Sequence, residues 1–412
     1  MAPTEVARTS RPSLSTERCA RWKSARGRLA VIVALLLIPP NAAHAQEHWP
    51  RFRGPHADGV AQDDPRLPEI WSEADNVAWR ADVPGLGWSC PIVWGDKVFL
   101  TSGVSDQANE EPKAGLYLGQ GVRQPADGIH RWLVHCFDLN SGEELWNREA
   151  HVGRPTVPRH PKSSYAAETA TTDGERLYVL FGDLGLFCYD LDGEPLWSHA
   201  IVPQKTFFDY GAAASPVVHD GQVIVVYDNL EESWILALDA ETGAPRWRQP
   251  RDEQRSWATP FIWQNDHRTE IVVPGQRRNR SYSLDGDLLW EFDGRMSNLV
   301  IPSPFAAHGM CYIASGYVGD PHRPTFAVLP GASGDITPQD DADFADNQFI
   351  AWYQGTASPY NTTQIVYGDY LYTLYDQGFL TCHDAKTGEQ VYGKQRFSPR
   401  GSFTASPWAY NG

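Results

Sequence analysis

The fold is decided by the stretch Ala237–Trp247, which reads A-L-D-A-E-T-G-A-P-R-W. It predicts the end of one β-strand, a tight turn, and a second strand that carries a large aromatic residue. Asp239 can accept hydrogen bonds from the turn backbone, and Gly243 can adopt the positive φ that such a turn requires. Trp247 follows this glycine by four residues, on a strand whose side chains alternate between two faces.

The same turn recurs along the chain. In five copies an aromatic residue follows the turn glycine by four positions. In a sixth, degenerate copy an insertion at residues 330–347 enlarges the turn. The six aromatic residues are Trp146, Trp197, Trp247, Trp290, Trp352 and Tyr392. Their spacing of about 40 to 60 residues is typical of the blades of a β-propeller.

A β-hairpin precedes each turn. Its fullest form is Ala214–Val226, in which two β-rich runs flank an Asp-Gly turn. The related hairpins are Ser89–Leu100, Thr169–Phe181, Trp257–Val273, Ser303–Ala314 and Ile365–Leu374. Each unit therefore contains four antiparallel strands, A to D. The predicted fold is an all-β propeller, because closure of such blades leaves only short strand edges.

The pattern A-x-D-x-x-T-G-x-x-x-W resembles the tryptophan-docking motif of PQQ-like, quinoprotein-type propellers. That group includes quinoprotein alcohol dehydrogenases and the outer-membrane assembly lipoproteins of the BamB type. The resemblance runs from Trp49 to the end, and Trp49–Pro55, Pro330–Asp335 and Ser402–Pro407 resemble an exported bacterial subfamily. It implies eight blades in an intact member. This chain has six and the start of a seventh, so we expect it to be truncated at its C-terminus.

Three segments are predicted. Residues 1–45 are typical of a signal peptide, because basic residues precede an apolar run at Leu29–Ile38 and Ala43-His44-Ala45 is a small-x-small cleavage site. A membrane anchor is the alternative, although the run is short for a bilayer. Residues 46–76 are an N-terminal lead-in, and residues 77–412 are the propeller. We therefore expect a periplasmic or secreted protein, without a stable membrane anchor after cleavage because no cysteine follows the site for lipid attachment.

The composition limits the partners. The chain has 35 Lys and Arg against 51 Asp and Glu, a net charge of −16. This balance excludes a typical nucleic-acid partner and favours a soluble protein, which we expect to be a monomer. Five cysteines follow residue 45, in repeat positions where other blades carry small or apolar residues, and we predict that all five are buried packing residues. They are Cys90, Cys136, Cys188, Cys311 and Cys382.

One face of the propeller is the candidate for function. The A–B and C–D turns on one face are short, whereas the B–C and D–A loops on the other are long and varied, and loops on a rigid scaffold often carry function. Aromatic residues precede the A strands, namely Trp88, Tyr165, Tyr210, Trp257, Tyr360 and Phe403. Cations lie nearby, namely Arg154, Arg159, His160, Lys162, Lys205, Arg251, Arg255, Arg295 and Arg400. Together they predict either a site for a flat anionic ligand or packing between blades beside solvated charges.

Two functions remain open at this stage. The first is a non-catalytic scaffold that binds a protein, peptide or glycan with its B–C and D–A loops and needs no cofactor. The second, implied by the resemblance, is a PQQ-dependent dehydrogenase of alcohols or aldoses that uses calcium. The sequence lacks the adjacent cysteine pair of such alcohol dehydrogenases, so no catalytic, cofactor-binding or metal-binding residue is assigned. The aspartates between Asp335 and Asp346 are interpreted as a solvated insertion, because their spacing does not match an EF-hand.

Overall fold

The computed structural model describes residues 48–108, 123–338, 344, 347–398 and 400–412. The predicted signal peptide, residues 1–45, lies outside these ranges. In the described ranges no helix has the length and apolar character needed to cross a membrane. A short 3-10 turn lies at Phe207–Asp209.

The described strands form six antiparallel blades, as the repeat predicts. Blade one contains β1 (Ile92–Trp94), β2 (Lys97–Ser105), β3 (His130–Asp138) and β4 (Glu144–Gly153). Blade two contains β5 (Thr171–Thr172), β6 (Arg176–Phe181), β7 (Gly185–Asp190) and β8 (Pro195–Ala200). Blade three contains β9 (Val217–His219), β10 (Gln222–Tyr227), β11 (Ser233–Asp239) and β12 (Pro245–Arg251).

The remaining blades follow the same order. Blade four contains β13 (Phe261–Gln264), β14 (Thr269–Val273), β15 (Asn279–Tyr282) and β16 (Leu288–Phe292). Blade five contains β17 (Phe305–Ala307), β18 (Met310–Ala314), β19 (Thr325–Val328) and β21 (Ile350–Gln354). Blade six contains β22 (Ile365–Tyr367), β23 (Tyr370–Tyr375), β24 (Phe379–Asp384) and β25 (Gln390–Arg396). The remaining strand, β20 (Gly334–Asp335), comes from the insertion in blade five and pairs in parallel with β16 of blade four.

The repeated tryptophans join neighbouring blades. Trp197 of blade two donates its indole N–H to the Ala240 carbonyl oxygen of blade three at 3.2 Å. Its ring covers Gly243, where φ is +72° and an added Cβ would lie 2.5 Å from the indole. Only glycine satisfies both conditions. The other indole donors and their carbonyl acceptors are Trp79 to Leu139, Trp146 to Leu191, Trp247 to Leu284 and Trp352 to Ala385.

Trp79 and Trp290 each depart from the pattern of tryptophan docking between blades. Trp79 docks on blade one as the other tryptophans dock on theirs, although the residues around it form no strand. Trp290 instead donates at 2.7 Å to Glu270 of its own blade. The next blade is the one whose turn carries the insertion, and β20 of that insertion lies against β16. The insertion therefore replaces tryptophan docking with strand pairing at this junction.

A second connection surrounds the propeller axis. At six successive positions, a backbone N–H at the start of one A strand donates to the side-chain hydroxyl at the equivalent position of the next repeat, at 2.8 to 3.1 Å. The residues of this inner ring are Cys90, Thr169, Ser215, Thr259, Ser303, Thr363 and Ser406. Ser406 thus takes the place of a seventh inner strand, although its segment forms only an isolated bridge, between Ala409 and Val60.

The lead-in connects both ends of the described propeller. Trp49 pairs with Val93 of β1, and the Pro50 carbonyl accepts a hydrogen bond from Thr172 of β5 at 2.9 Å. Arg53 is buried, and its guanidinium donates to four carbonyl oxygens. These belong to Ala57, Asp58, Gln364 and Pro407. One side chain therefore ties the lead-in to blade six and to the C-terminal segment.

Candidate functional site

The inner ring surrounds a central cavity of about 1190 Å³. The residues that precede the A strands line its wall on the side of the B–C and D–A loops, and Trp49, Phe52 and Arg53 of the lead-in also line it. The cavity is slightly larger than the range of about 300 to 1,000 Å³ that is typical of ligand sites in proteins. It therefore makes the predicted loop face the candidate for binding.

Four of the six predicted aromatic residues line this cavity, namely Trp88, Tyr210, Trp257 and Tyr360. Tyr165 does not. It is buried, and its hydroxyl donates to the Val157 carbonyl and accepts from the Ala126 N–H, both at 3.1 Å. Phe403 does not line the cavity either, and its ring lies 5.8 Å from that of Phe397. Packing is thus the correct interpretation for these two residues.

Contacts within the wall fix the aromatic rings. Tyr210 meets the edge of His160 at a centroid distance of 4.4 Å and lies 6.0 Å from Trp257. Trp257 donates its indole N–H to the Gly211 carbonyl at 2.8 Å. Tyr360 is buried against Tyr317, and burial raises the pKa of its phenol. The rings are therefore held in place before any ligand arrives.

The turn before Tyr210 has an unusual backbone. Phe208 and Asp209 both have positive φ, at 56° and 55°. For non-glycine residues this conformation is unfavourable and is kept only where surrounding contacts impose it. Here the buried Asp209 carboxylate accepts the Arg123 N–H at 2.9 Å, and the Thr206 hydroxyl accepts the Gly211 N–H at 2.8 Å. These contacts hold Tyr210 in the cavity wall.

Of the nine predicted cations, only His160 and Lys162 line the cavity. Arg251 is fully buried and forms an ion pair with Asp228 at 2.8 Å. Arg255 lies over the Phe207 ring, with 4.1 Å between the guanidinium carbon and the ring centroid. The others do not line the cavity, namely Arg154, Arg159, Lys205, Arg295 and Arg400. The predicted ring of cations is therefore not formed, and the two predicted cations that line the cavity lie close together in one turn.

Two cavity residues were missed or misjudged from the sequence. Trp408 lines the cavity and is 58% exposed. It was missed from the sequence because it follows the inner-ring residue Ser406, whereas the predicted aromatic residues precede their inner-ring residues. The prediction that all five cysteines are buried is wrong for Cys90, which is exposed in the cavity wall. Its repeat position is that of Ser215, so it shares the orientation of the hydroxyl ring. The other four cysteines are buried and free, as predicted.

The cavity wall carries positive charge in an acidic protein. None of the described residues that line it is an aspartate or glutamate, whereas Arg53, His160 and Lys162 all line it. Among the described residues, the hydrogen-bond partners of the Arg53 guanidinium are all carbonyl oxygens, and burial lowers its pKa to about 10. Anionic and acceptor-rich groups therefore fit this wall better than cations.

The described wall is poorly suited to calcium. Calcium prefers carboxylate ligands, and the described lining provides none. No group of three or more His, Cys, Asp or Glu residues suited to a metal occurs in the described ranges. Asp335 of the insertion is bound instead to Arg278 at 2.8 Å, and residues 339–343, 345 and 346 lie outside the described residues. The donor set of the described lining residues therefore does not fit calcium.

The family described as outer membrane protein assembly factor BamB matches residues 130–259 and 231–404. No curated protein matches the chain. Among solved structures, BamB from Moraxella catarrhalis is similar with 15% identity, a TM-score of 0.45 and coverage of 70% of this chain and 78% of that one. Quinohemoprotein alcohol dehydrogenase from Comamonas testosteroni has 12% identity, a TM-score of 0.40 and coverage of 88% and 75%. A europium-containing methanol dehydrogenase has 10% identity, a TM-score of 0.48 and coverage of 88% and 87%.

Proposed function

Because this chain belongs to the PQQ-like β-propeller family of the outer membrane protein assembly factor BamB, we propose that it is an exported, monomeric protein-binding scaffold. In this proposal a chain segment of a partner protein enters the central cavity from the B–C and D–A loop face. The single observation that carries it is the aromatic wall of that cavity, whose described residues include no carboxylate. The name of the matched family supports a protein as the partner.

The aromatic wall supports recognition of a bulky side chain. Trp and Tyr residues dominate the energetics of protein interfaces, because they bury large rigid surfaces at a low cost in conformational entropy. Trp88 and Trp408 are 43% and 58% exposed, so their surfaces are available to a partner. Tyr210 and Tyr360 are buried deeper in the wall and shape it. An apolar or aromatic side chain of the partner would pack between the exposed tryptophans and the buried tyrosines.

The inner ring supports a peptide backbone as the ligand. The hydroxyl oxygens of Ser215, Thr259 and Ser303 already accept backbone N–H groups. A hydroxyl keeps one proton to donate, and the described residues offer these three no acceptor. The carbonyl oxygens of an entering peptide would accept these protons. Carboxylates on the peptide would also be favoured by the positive wall described above.

The proposal is tested with two matched tryptophan variants of the full chain. A displayed peptide library is selected on the immobilised protein, and the dissociation constant of each selected peptide is measured by fluorescence anisotropy. Trp408→Ala removes a cavity residue, whereas Trp71→Ala removes a tryptophan of similar exposure, 56%, that does not line the cavity. We expect Trp408→Ala to weaken binding by about tenfold or more, and Trp71→Ala to leave it unchanged.

Three outcomes would contradict the proposal of a protein-binding scaffold. Equal affinities of the two variants would place the peptide outside the cavity. Saturable thermal stabilisation by PQQ with calcium would favour the dehydrogenase instead, since a ligand that binds only the folded state raises its apparent stability. Selection of glycans from an array, without any peptide, would retain the cavity as the site but exclude a protein partner.

A further inference from the structure

Three cations lie together in the cleft between blades five and six. Arg323 precedes β19 in blade five, and Lys394 and Arg396 lie on β25 in blade six. Tyr375 ends β23 and is buried in the cleft, where its hydroxyl donates to the Thr356 carbonyl of blade five at 3.4 Å. None of these residues lines the central cavity, so the cleft is a separate place in the fold.

Aromatic rings contact all three cations. The Lys394 Nζ lies 4.7 Å from the centroid of the Tyr375 ring, and the Arg323 guanidinium carbon lies 5.7 Å from the same centroid. The Arg396 guanidinium carbon lies 3.9 Å from the Phe379 ring. Tyr375 pairs with Phe379, and Phe379 pairs with Arg396, so these side chains project from one face of the blade.

The described residues provide no carboxylate for this group. No ion pair is formed by Arg323, Lys394 or Arg396 within the described ranges, whereas the buried Arg251 has Asp228 at 2.8 Å. Asp376 follows Tyr375, but its carboxylate accepts the Tyr360 and Asn361 N–H groups and the Asn361 side-chain amide, at 2.6 to 3.1 Å. It is therefore already satisfied by other donors.

Arg323 also has an unused donor. Its Nε is buried and has no hydrogen-bond acceptor. A buried donor without an acceptor is unfavourable, so native proteins rarely retain one without a reason. The charged form of Lys394 is also disfavoured, because burial and then the Arg323 charge lower its pKa. An anion placed here would relieve both penalties at once.

We propose that this cleft binds a phosphate group, through Arg323 from blade five and Lys394 from blade six. Arg323 offers its buried Nε–H and a charge that cannot be lost at physiological pH, and Lys394 adds an ammonium. Both cations contact the Tyr375 ring. Arg396, over the neighbouring Phe379 ring, adds a third positive charge that also favours an anion. The group could belong to free phosphate or to a phosphate monoester.

The test uses the full chain at constant ionic strength. Inorganic phosphate and glycerol phosphate are titrated separately by calorimetry, against chloride as the reference. We expect saturable binding to wild type, and a dissociation constant raised by about tenfold or more in Arg323→Gln and Lys394→Gln. The matched control is Lys386→Gln, which removes an exposed lysine paired with Asp369 at 2.7 Å and should leave binding unchanged.

A second measurement needs no variant. Acylation of single lysines in wild type is followed by mass spectrometry, and phosphate should slow the reaction of Lys394 but not of Lys386. Tighter binding of glycerol phosphate would assign the site to a monoester, and equal or tighter binding of inorganic phosphate to the free anion. Absence of binding beyond chloride, unprotected Lys394, or equal affinities in Lys394→Gln and Lys386→Gln would each overturn the proposal.

Discussion

Two buried carboxyl groups behind the cavity wall predict an unusual dependence of stability on pH. Glu168 and Asp183 are 3% and 8% exposed. Glu168 accepts the Gly182 N–H at 3.2 Å, and one oxygen of Asp183 is buried without a partner. Burial, followed by the charge of Asp183, raises the pKa of Glu168 to about 8, and burial raises that of Asp183 to about 7.

The sign of the effect follows from these directions. Both pKa values are higher in the folded protein than in the unfolded chain, so the folded protein retains protons that the unfolded chain releases. The contribution of the two protonated carboxyl groups to the free energy of unfolding is complete below about pH 4, and it is lost progressively as the pH rises to about 8. A shift of roughly three pKa units corresponds to on the order of 4 kcal/mol for one fully buried group. This is a large part of a typical stability of about 5 to 15 kcal/mol.

The perturbation is Glu168→Gln, which preserves the shape of the side chain and the acceptor for Gly182 but cannot ionise. We expect its free energy of unfolding to vary less with pH than that of wild type between pH 5 and 8.5. At pH 8.5 the variant should be more stable by a few kcal/mol, on the order of the linkage energy above. At pH 5, where Glu168 is protonated, the difference should be small.

The assay is denaturant unfolding followed by tryptophan fluorescence at several pH values. Glu241→Gln serves as the control, because Glu241 is an exposed residue of the docking turn. Its curve should follow that of wild type. Parallel pH dependences of wild type and Glu168→Gln would refute the assignment of the effect to this buried carboxyl group.

Three further predictions concern the propeller itself. Gly243→Ala should destabilise the protein by about 2 kcal/mol or more, because it places a Cβ 2.5 Å from Trp197 at positive φ; a change in the free energy of unfolding below about 0.5 kcal/mol would contradict this. Desolvation raises the pKa of the Cys90 thiol, but Cys90 is the exposed one among the described cysteines, so it should react with a thiol reagent faster than the four buried ones; faster labelling of Cys188 would contradict this. Arg53→Met should lower the melting temperature by several degrees through the carbonyl groups that it leaves unpaired; unchanged thermal unfolding would exclude its role as a tie.

The repeat made the blades predictable. The six repeated aromatic residues, from Trp146 to Tyr392, each lie on the fourth strand of their blade. The glycine turn and the alternation of side chains along a strand together determine strand order and register. The partner of Trp290 was not predictable in this way. Its acceptor, Glu270, belongs to β14 of the same blade, and only the course of the insertion explains the exchange.

The site was predictable only in part. The repeat located Trp88, Tyr210, Trp257 and Tyr360 before A strands, but it could not show which D–A loops turn toward the axis. Arg251 is an example of a predicted cation that does not reach the cavity. Its ion-pair partner Asp228 lies in a loop 23 residues earlier in the sequence, and the repeat pattern did not indicate this contact. Loop paths depend on such contacts between distant residues, and one repeat pattern contains no information about them.

Binding of a partner peptide in the central cavity is tested most directly by the rate of alkylation of Cys90 with and without a selected peptide. Cys90 lies in the cavity wall, so a peptide that enters the cavity should shield its thiol. A saturating peptide should slow alkylation of Cys90 by about tenfold or more, in proportion to the bound fraction. An unchanged rate with the peptide fully bound would show that the partner binds elsewhere, and it would contradict the central cavity as the functional site.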